Sequence, residues 1–219
     1  MPVMGSRWPP SYRPEDNRTF SMLELLGLQR MHVGPIHLRL EAGTCVAIMG
    51  RSGSGKSILL RMISDLDPHE GDAALAGEAC SRLPAPTWRQ RVSYVAADSG
   101  WWHDQVGAHF PAGCDFAALF ARVGIVAEAA DWPVARLSTG ERQRLALLRA
   151  LQPANRVLLL DEPTSGLDPE STRQVEDLLR ERMAQGTGVL MVTHDPQQPG
   201  RLGARRYVMN EGRLQELTA

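Results

Sequence analysis

The chain has 219 residues, with 24 basic and 25 acidic side chains and a net charge near −1. That balance excludes the broad basic field of a chain whose main partner is nucleic acid. Hydrophobic content of 43% with 22% charged residues is ordinary for a water-soluble domain, and the longest unbroken apolar run, Phe116 to Ala121, falls far short of the roughly 20 residues a membrane span needs.

Residues 1–20 carry four prolines and several charges, and read as a flexible tail without a signal-peptide stretch. Residues 21–219 read as a single domain. Ile36–Leu40 and Cys45–Met49 have the composition of strands, and a helix is expected from Lys56 to about Asp65, before Asp67-Pro68. Val92–Val95 is a further strand, broken by Asp98-Ser99-Gly100. A small helical subdomain is expected over about 98–150, where Phe116, Leu119, Phe120 and Val123 recur at i, i+3, i+4 and i+7, and Leu145, Leu148 and Leu151 mark a second helix. Val157–Leu160 and Val189–Val192 are apolar throughout, as strands buried on both faces of a parallel sheet are. Val175, Leu178, Leu179 and Met183 define the helix between them. The ending RRYVMNEGRL predicts a hairpin turned at Asn210-Glu211-Gly212. This alternation is an α/β layered fold. Cys45, Cys80 and Cys114 are odd in number and widely spaced, which suits a reducing compartment and suggests neither a disulfide framework nor a zinc site.

The most specific local signal is Gly50-Arg51-Ser52-Gly53-Ser54-Gly55-Lys56-Ser57, which matches GxxxxGK[ST] between a predicted strand and a predicted helix. Glycines let successive backbone N–H groups curl round a phosphate, and the helix start adds unpaired donors and a favourable dipole. Lys56 supplies a point charge for the β- and γ-phosphates of ATP, and the Ser57 hydroxyl is a ligand for Mg2+. Arginine outnumbers lysine 23 to 1 in this chain, and Lys56 is the one lysine. A planar guanidinium fork does not replace a point charge in such a loop.

Further along, the strand Val157–Leu160 runs into Asp161 and Glu162. Asp161 at the strand tip is placed to hold magnesium, and Glu162 to polarise an attacking water. Leu137-Ser138-Thr139-Gly140-Glu141 opens the helix that follows with an S-x-x-E capping box. A capped helix start beside Gly140 is also an anion site.

Taken together these stretches resemble the ATP-binding cassette (ABC) family, whose LSGGQ signature precedes the acidic strand by a similar interval. The resemblance covers residues 22–214. It adds Ser165-Gly166-Leu167-Asp168, like the family's D-loop, although Asp168-Pro169 is also a good helix start. It adds His194 in Thr193-His194-Asp195, like its switch histidine. The resemblance implies a P-loop NTPase (RecA-like) core with a mainly parallel sheet, an N-terminal antiparallel β region and a small helical subdomain. It implies a head-to-tail pair of ABC subunits, a homodimer or a heterodimer, enclosing two ATP molecules. Glu162 and His194 of one subunit would then face Ser138 and Gly140 of the other. It also implies separate transmembrane permease subunits and a place on the cytoplasmic face of the cell's inner membrane.

Three departures qualify it. The signature reads LSTGE, with Thr139 for a glycine. Ala97 stands where the family's Q-loop glutamine is expected, and Asp98, which follows, is a candidate to take over part of its role at magnesium. Met31 and His32 occupy the stretch where an adenine-stacking tyrosine is usual. The leading expectation is an ATPase subunit powering a transporter. The alternatives are a regulatory nucleotide-binding module with little turnover and a soluble non-transport ABC ATPase. The adjacent Trp101-Trp102 is hard to bury on one helical face and is expected to border a groove for a partner helix.

Overall fold

The computed structural model describes residues 21–217; the tail expected over residues 1–20 lies outside them. The chain opens with β1 (Ser21–Arg30) and β2 (Val33–Glu41), an antiparallel pair. Along β2, buried Ile36, Leu38 and Leu40 alternate with exposed His37, Arg39 and Glu41, the period of a strand with one face in the core. Next, β3 (Cys45–Met49) leads through the glycine-rich loop into α1 (Lys56–Ile63). Then β4 (Glu70–Leu75) and β5 (Glu78–Ala79) join the first sheet, whose strand order is β2-β1-β4-β5 and whose pairings are all antiparallel.

The chain continues through α2 (Ala85–Arg91) into β6 (Val92–Val95). Before α4 (Thr139–Ala150) it makes several 3-10 turns and one short helix, α3 (Phe116–Ala121). The apolar period read to Val123 thus outlasts its helix by one turn: Val123 is buried from the turn that follows, just before Gly124 at φ +65°. The chain then runs through β7 (Val157–Asp161), α5 (Pro169–Ala184), β8 (Gly188–Val192), short α6 (Gln198–Arg201) and the closing hairpin β9 (Arg205–Asn210) and β10 (Arg213–Leu217).

The second sheet has the order β10-β9-β3-β8-β7-β6, parallel throughout except for the β9–β10 hairpin. Its central strands read as unbroken apolar runs because alternate residues serve two cores. Val46, Ile48, Val157, Leu159, Leu190 and Val192 pack with α1 and the antiparallel sheet. Ala47, Leu158, Leu160, Val189 and Met191 point the other way, to α4 and α5. Each of these side chains larger than Ala47 contributes about 1.5–3 kcal/mol on full burial. The first core also holds Trp88, fully buried, whose indole N–H donates to the Ile63 carbonyl at 2.8 Å.

This is the α/β fold expected, with an antiparallel region at its start and a mainly parallel sheet. Parallel pairing of Ile48 with Val192, Asp161 with Val192, and Val95 with Leu160 brings four strand ends to one edge. Loops leaving the carboxyl ends of parallel strands form the crevice of such folds. Among the described residues no helix is long and apolar enough to cross a membrane.

Candidate functional site

The glycine-rich loop leaves β3 at that edge. Gly50 (φ +143°) and Gly55 (φ +105°) are glycines for two reasons: the backbone is left-handed, and a Cβ would stand 2.2 Å from the Met209 carbonyl oxygen and 2.3 Å from Val33 Cγ2 respectively. Arg51, Ser52 and Gly53 form an exposed lip, while Ser54, Gly55 and Lys56 are buried. The Ser54 carbonyl accepts from Gly212 N–H at 3.1 Å, and Gly34 N–H donates to the Gly212 carbonyl at 2.9 Å, so the turns of both hairpins brace the loop.

Unlike α4 and α5, α1 begins at a glycine with no side-chain cap and no acidic residue in its first turn. Its first N–H groups have no partner within the helix and face the loop's interior end. Lys56 is only 6% exposed, and its ammonium donates to the Gly50 carbonyl at 2.8 Å and the Arg51 carbonyl at 3.0 Å. Among the described residues the buried Ser54 hydroxyl has no hydrogen-bond partner. Unmet donors round a held cation are the chemistry of a phosphate cradle.

Asp161 closes β7 and is 6% exposed; its Oδ2 accepts from the Tyr94 hydroxyl of β6 at 3.2 Å. Burial first, and the Asp161 charge second, push the Tyr94 hydroxyl well above its ordinary value, so it stays protonated and donates. Glu162 follows at φ +52°. Its N–H donates to the Val192 carbonyl at 3.0 Å, and its Oε1 lies 3.0 Å from His194 Nε2. The structure therefore brings Asp161, Glu162 and His194 together at two adjoining strand ends.

At the start of α4 the capping box forms as read. Ser138 N–H and Oγ–H donate to Glu141 Oε2 at 2.8 and 2.7 Å, and the Glu141 N–H donates back to Ser138 Oγ at 3.3 Å. The Ser138 hydroxyl bond, then its backbone bond, hold the Glu141 carboxyl below the usual carboxylate range. Gly140 leaves room for Leu167: a Cβ there would stand 2.9 Å from Leu167 Cδ2. Asp168 caps α5, its Oδ1 accepting from Glu170 and Ser171 N–H, both at 2.9 Å, and its Oδ2 from the Ser171 hydroxyl at 2.6 Å. Pro169 takes the first helical position.

Asp98 sits in an exposed turn three residues beyond the end of β6. His32 is exposed beside the glycine loop, its Nε2 3.5 Å from where a Gly55 Cβ would stand, while Met31 points outward at 78% exposed. Two residues of this region escaped the sequence reading. One is Tyr94. The other is Gln143, buried in α4, whose amide donates to the Glu162 carbonyl.

A cavity of about 820 Å³ opens between α2, β6 and α4, lined among others by Leu66, Arg89, Tyr94, Trp102 and Arg149. Of the tryptophan pair, Trp102 lines it and Trp101 does not. The Arg149 guanidinium lies 4.7 Å from the Trp101 ring and 4.6 Å from the Trp102 ring, and both rings stand edge-on to buried His109. Trp102 remains 67% exposed.

A family model described as "ABC transporter" matches residues 33–165. The chain is 36% identical over 204 residues to the aliphatic sulfonates import ATP-binding protein SsuB 2 of Agrobacterium fabrum, covering 88% of this chain and 77% of that protein. It is 35% identical to the SsuB protein of Burkholderia ambifaria (96% of this chain, 66% of that one) and 39% identical to that of Albidiferax ferrireducens (81% and 65%). The chain thus spans just under two thirds of the last two relatives. In three dimensions it is similar to the ATP-binding cassette MJ0796, solved as a dimer in a post-hydrolysis state with ADP and Pi: TM-score 0.75, 23% identity, 90% of this chain and 100% of that one.

Proposed function

The chain belongs to the ABC transporter family, as an ATP-binding subunit with that family's ATPase fold, and on that premise we propose that it hydrolyses ATP to drive solute import through separate transmembrane permease subunits. The observation that carries the reading is the convergence of the Lys56 loop, Asp161, the Glu162–His194 pair and the two capped helix starts.

In this reading Gly50 to Ser57 bind the phosphates, with Lys56 fixed over the loop by two carbonyls so that its remaining N–H faces the β- and γ-phosphates. The Glu162 carboxylate orients and polarises the attacking water, and His194 holds that carboxylate and contacts the γ-phosphate. Ser57 and Asp161 are the oxygen donors for Mg2+, which when bound neutralises charge on the phosphate oxygens. They fit it: a carboxylate 6% exposed with a neutral hydroxyl for a partner suits a hard cation, and Mg2+ takes one or two protein oxygens and fills its shell with water and phosphate. Asp98 is assigned an accessory place at that ion, through water. His32 is the adenine platform.

A second ABC subunit, most simply another copy, would present Ser138 and Gly140 to the bound ATP, with Asp168 at the joint between subunits. The groove beside Trp102 supports permease docking, and with it a peripheral place on the cytoplasmic face of the membrane. The relatives are named for aliphatic sulfonate import, and we take that solute class as the first to test.

The test is ATPase activity of wild type against Glu162→Gln, with co-purification from detergent-solubilised membranes. The reading expects Mg2+-dependent turnover that falls by about 100-fold or more in the variant, and a co-purifying protein with several apolar spans. Equal, negligible rates in both proteins would point instead to a regulatory module.

A further inference from the structure

Glu162 holds a backbone conformation that residues with side chains adopt rarely, φ +52°. Such a conformation persists only where the surroundings over-determine it. Three elements do so here. The Glu162 N–H is tied to Val192 of β8, and its carbonyl accepts from Ser165 N–H at 3.2 Å in its own loop. The same carbonyl accepts from Gln143 Nε2 at 2.5 Å. Gln143 alone of the three belongs to neither the parallel sheet nor the loop.

Gln143 is 8% exposed and lies just over one turn inside α4, the helix whose start carries Ser138 and Gly140. A buried amide is costly to leave unpaired, so a movement of the helix is opposed by this bond. The first turns of a hydrogen-bonded helix move together. A shift at Ser138 therefore carries Gln143 with it and pulls on the peptide whose side chain faces His194.

We propose that Gln143 is a positioning residue linking the two ends of that path, so that engagement of Ser138 and Gly140 by the second subunit's ATP sets the Glu162 carboxylate of the chain's own site. The inference rests on the roles given above to Glu162 and to a two-subunit assembly. It makes α4 the route by which one nucleotide is sensed at the other.

The test is a double-mutant cycle. Gln143→Met keeps the length of the side chain and removes the donor; kcat is expected to fall about tenfold or more, with KM for ATP held within about twofold, because misplacing a reacting group costs rate rather than binding. In a Glu162→Ala background the same substitution should cost nothing further, since the carboxylate it positions is gone. ATP-driven dimerisation of Glu162→Gln by light scattering should be unchanged on adding Gln143→Met. A loss that multiplies in both backgrounds, or an unchanged kcat, overturns the proposal. If Gln143→Met does not fold, Gln143→Asn, one methylene shorter, enters the same cycle with the same criteria. If Glu162→Gln itself turns over like wild type, the reading of Glu162 has failed, which is a separate result.

Discussion

Replacing Arg201 with methionine is expected to cost about 3 kcal/mol of stability, the low end of what breaking a buried ion pair costs. Glu176 of α5 is 1% exposed. Arg201 of α6 clasps its carboxylate from Nε at 3.0 Å to each oxygen and from Nη2 at 2.7 Å, and the same Nη2 bonds Asp195 Oδ2 at 2.6 Å. Removing the guanidinium strands a charge in the core. Two features hold the figure low: Arg201 is itself 35% exposed, and Arg180 stands 3.6 Å from Glu176 on the solvent side. For a domain of this size the loss amounts to a fall in Tm of about 6–12 °C. Thermal unfolding followed by circular dichroism reads it directly. The Glu176→Met, Arg201→Met pair, which buries no charge, should recover most of the loss. A single variant melting within about 2 °C of wild type would refute the argument. ATPase rate should fall as well, because Asp195 follows His194 in the chain and keeps only the Gln197 N–H of its two side-chain anchors.

Lys56→Arg should leave the fold intact and reduce ATP hydrolysis by about 100-fold or more, because the larger planar group cannot sit between the Gly50 and Arg51 carbonyls; near-normal turnover would count against the nucleotide reading itself. Glu141→Gln keeps a capping box but removes a negative charge from the helix start proposed to face the second ATP, so ATP-driven dimerisation in the Glu162→Gln background should tighten by about two- to fivefold, and weaker association would contradict this. Stability should also depend on pH through His109. Burial holds its pKa below the ordinary 6.5, and its Nε2 accepts from the Trp102 and His103 N–H groups while Arg149 and His103 add charge nearby. Between the native and ordinary values the unfolded chain binds a proton that the folded chain does not. This group's stability is therefore whole above pH 6.5 and is lost as pH falls through that window. His109→Gln, which cannot titrate, should show a flatter Tm between about pH 7.5 and 5.5, above the range in which carboxylates titrate.

The parallel strands were legible because each is apolar on both faces, and the helix starts because Ser138 with Glu141 and Asp168 with Pro169 are local chemistry that tertiary contacts do not overrule. β1 was not legible. Its leucines at 23, 25, 26 and 28 break the strand period where a bulge falls between Leu26 and Leu28, at Gly27 with φ +67°. β4, with the sequence EGDAAL, is a strand only because β1 pairs with it, and pairing across some fifty residues leaves no local mark. At the site, Asp161 and Glu162 declared themselves as carboxylates ending an apolar run, whereas His194 was marked only by the resemblance. Tyr94 did not declare itself, because its partner lies in another strand. Gln143 left a trace: it shares a buried stripe with Ala146 and Leu147 at i+3 and i+4, and a glutamine in such a stripe requires a buried partner.

The brace between Gly212 and Ser54 sets an order on synthesis. One carbonyl of the phosphate loop waits for a turn made about 160 residues later, on the order of ten to thirty seconds at ordinary elongation rates. Gly50, too, packs so closely on the Met209 carbonyl that no Cβ would fit between them. Over that interval a nascent chain carries the whole nucleotide motif without the frame that holds the motif in shape. The loop gains this brace only once the β9–β10 turn has been made, when the rest of the sheet is already available to receive it.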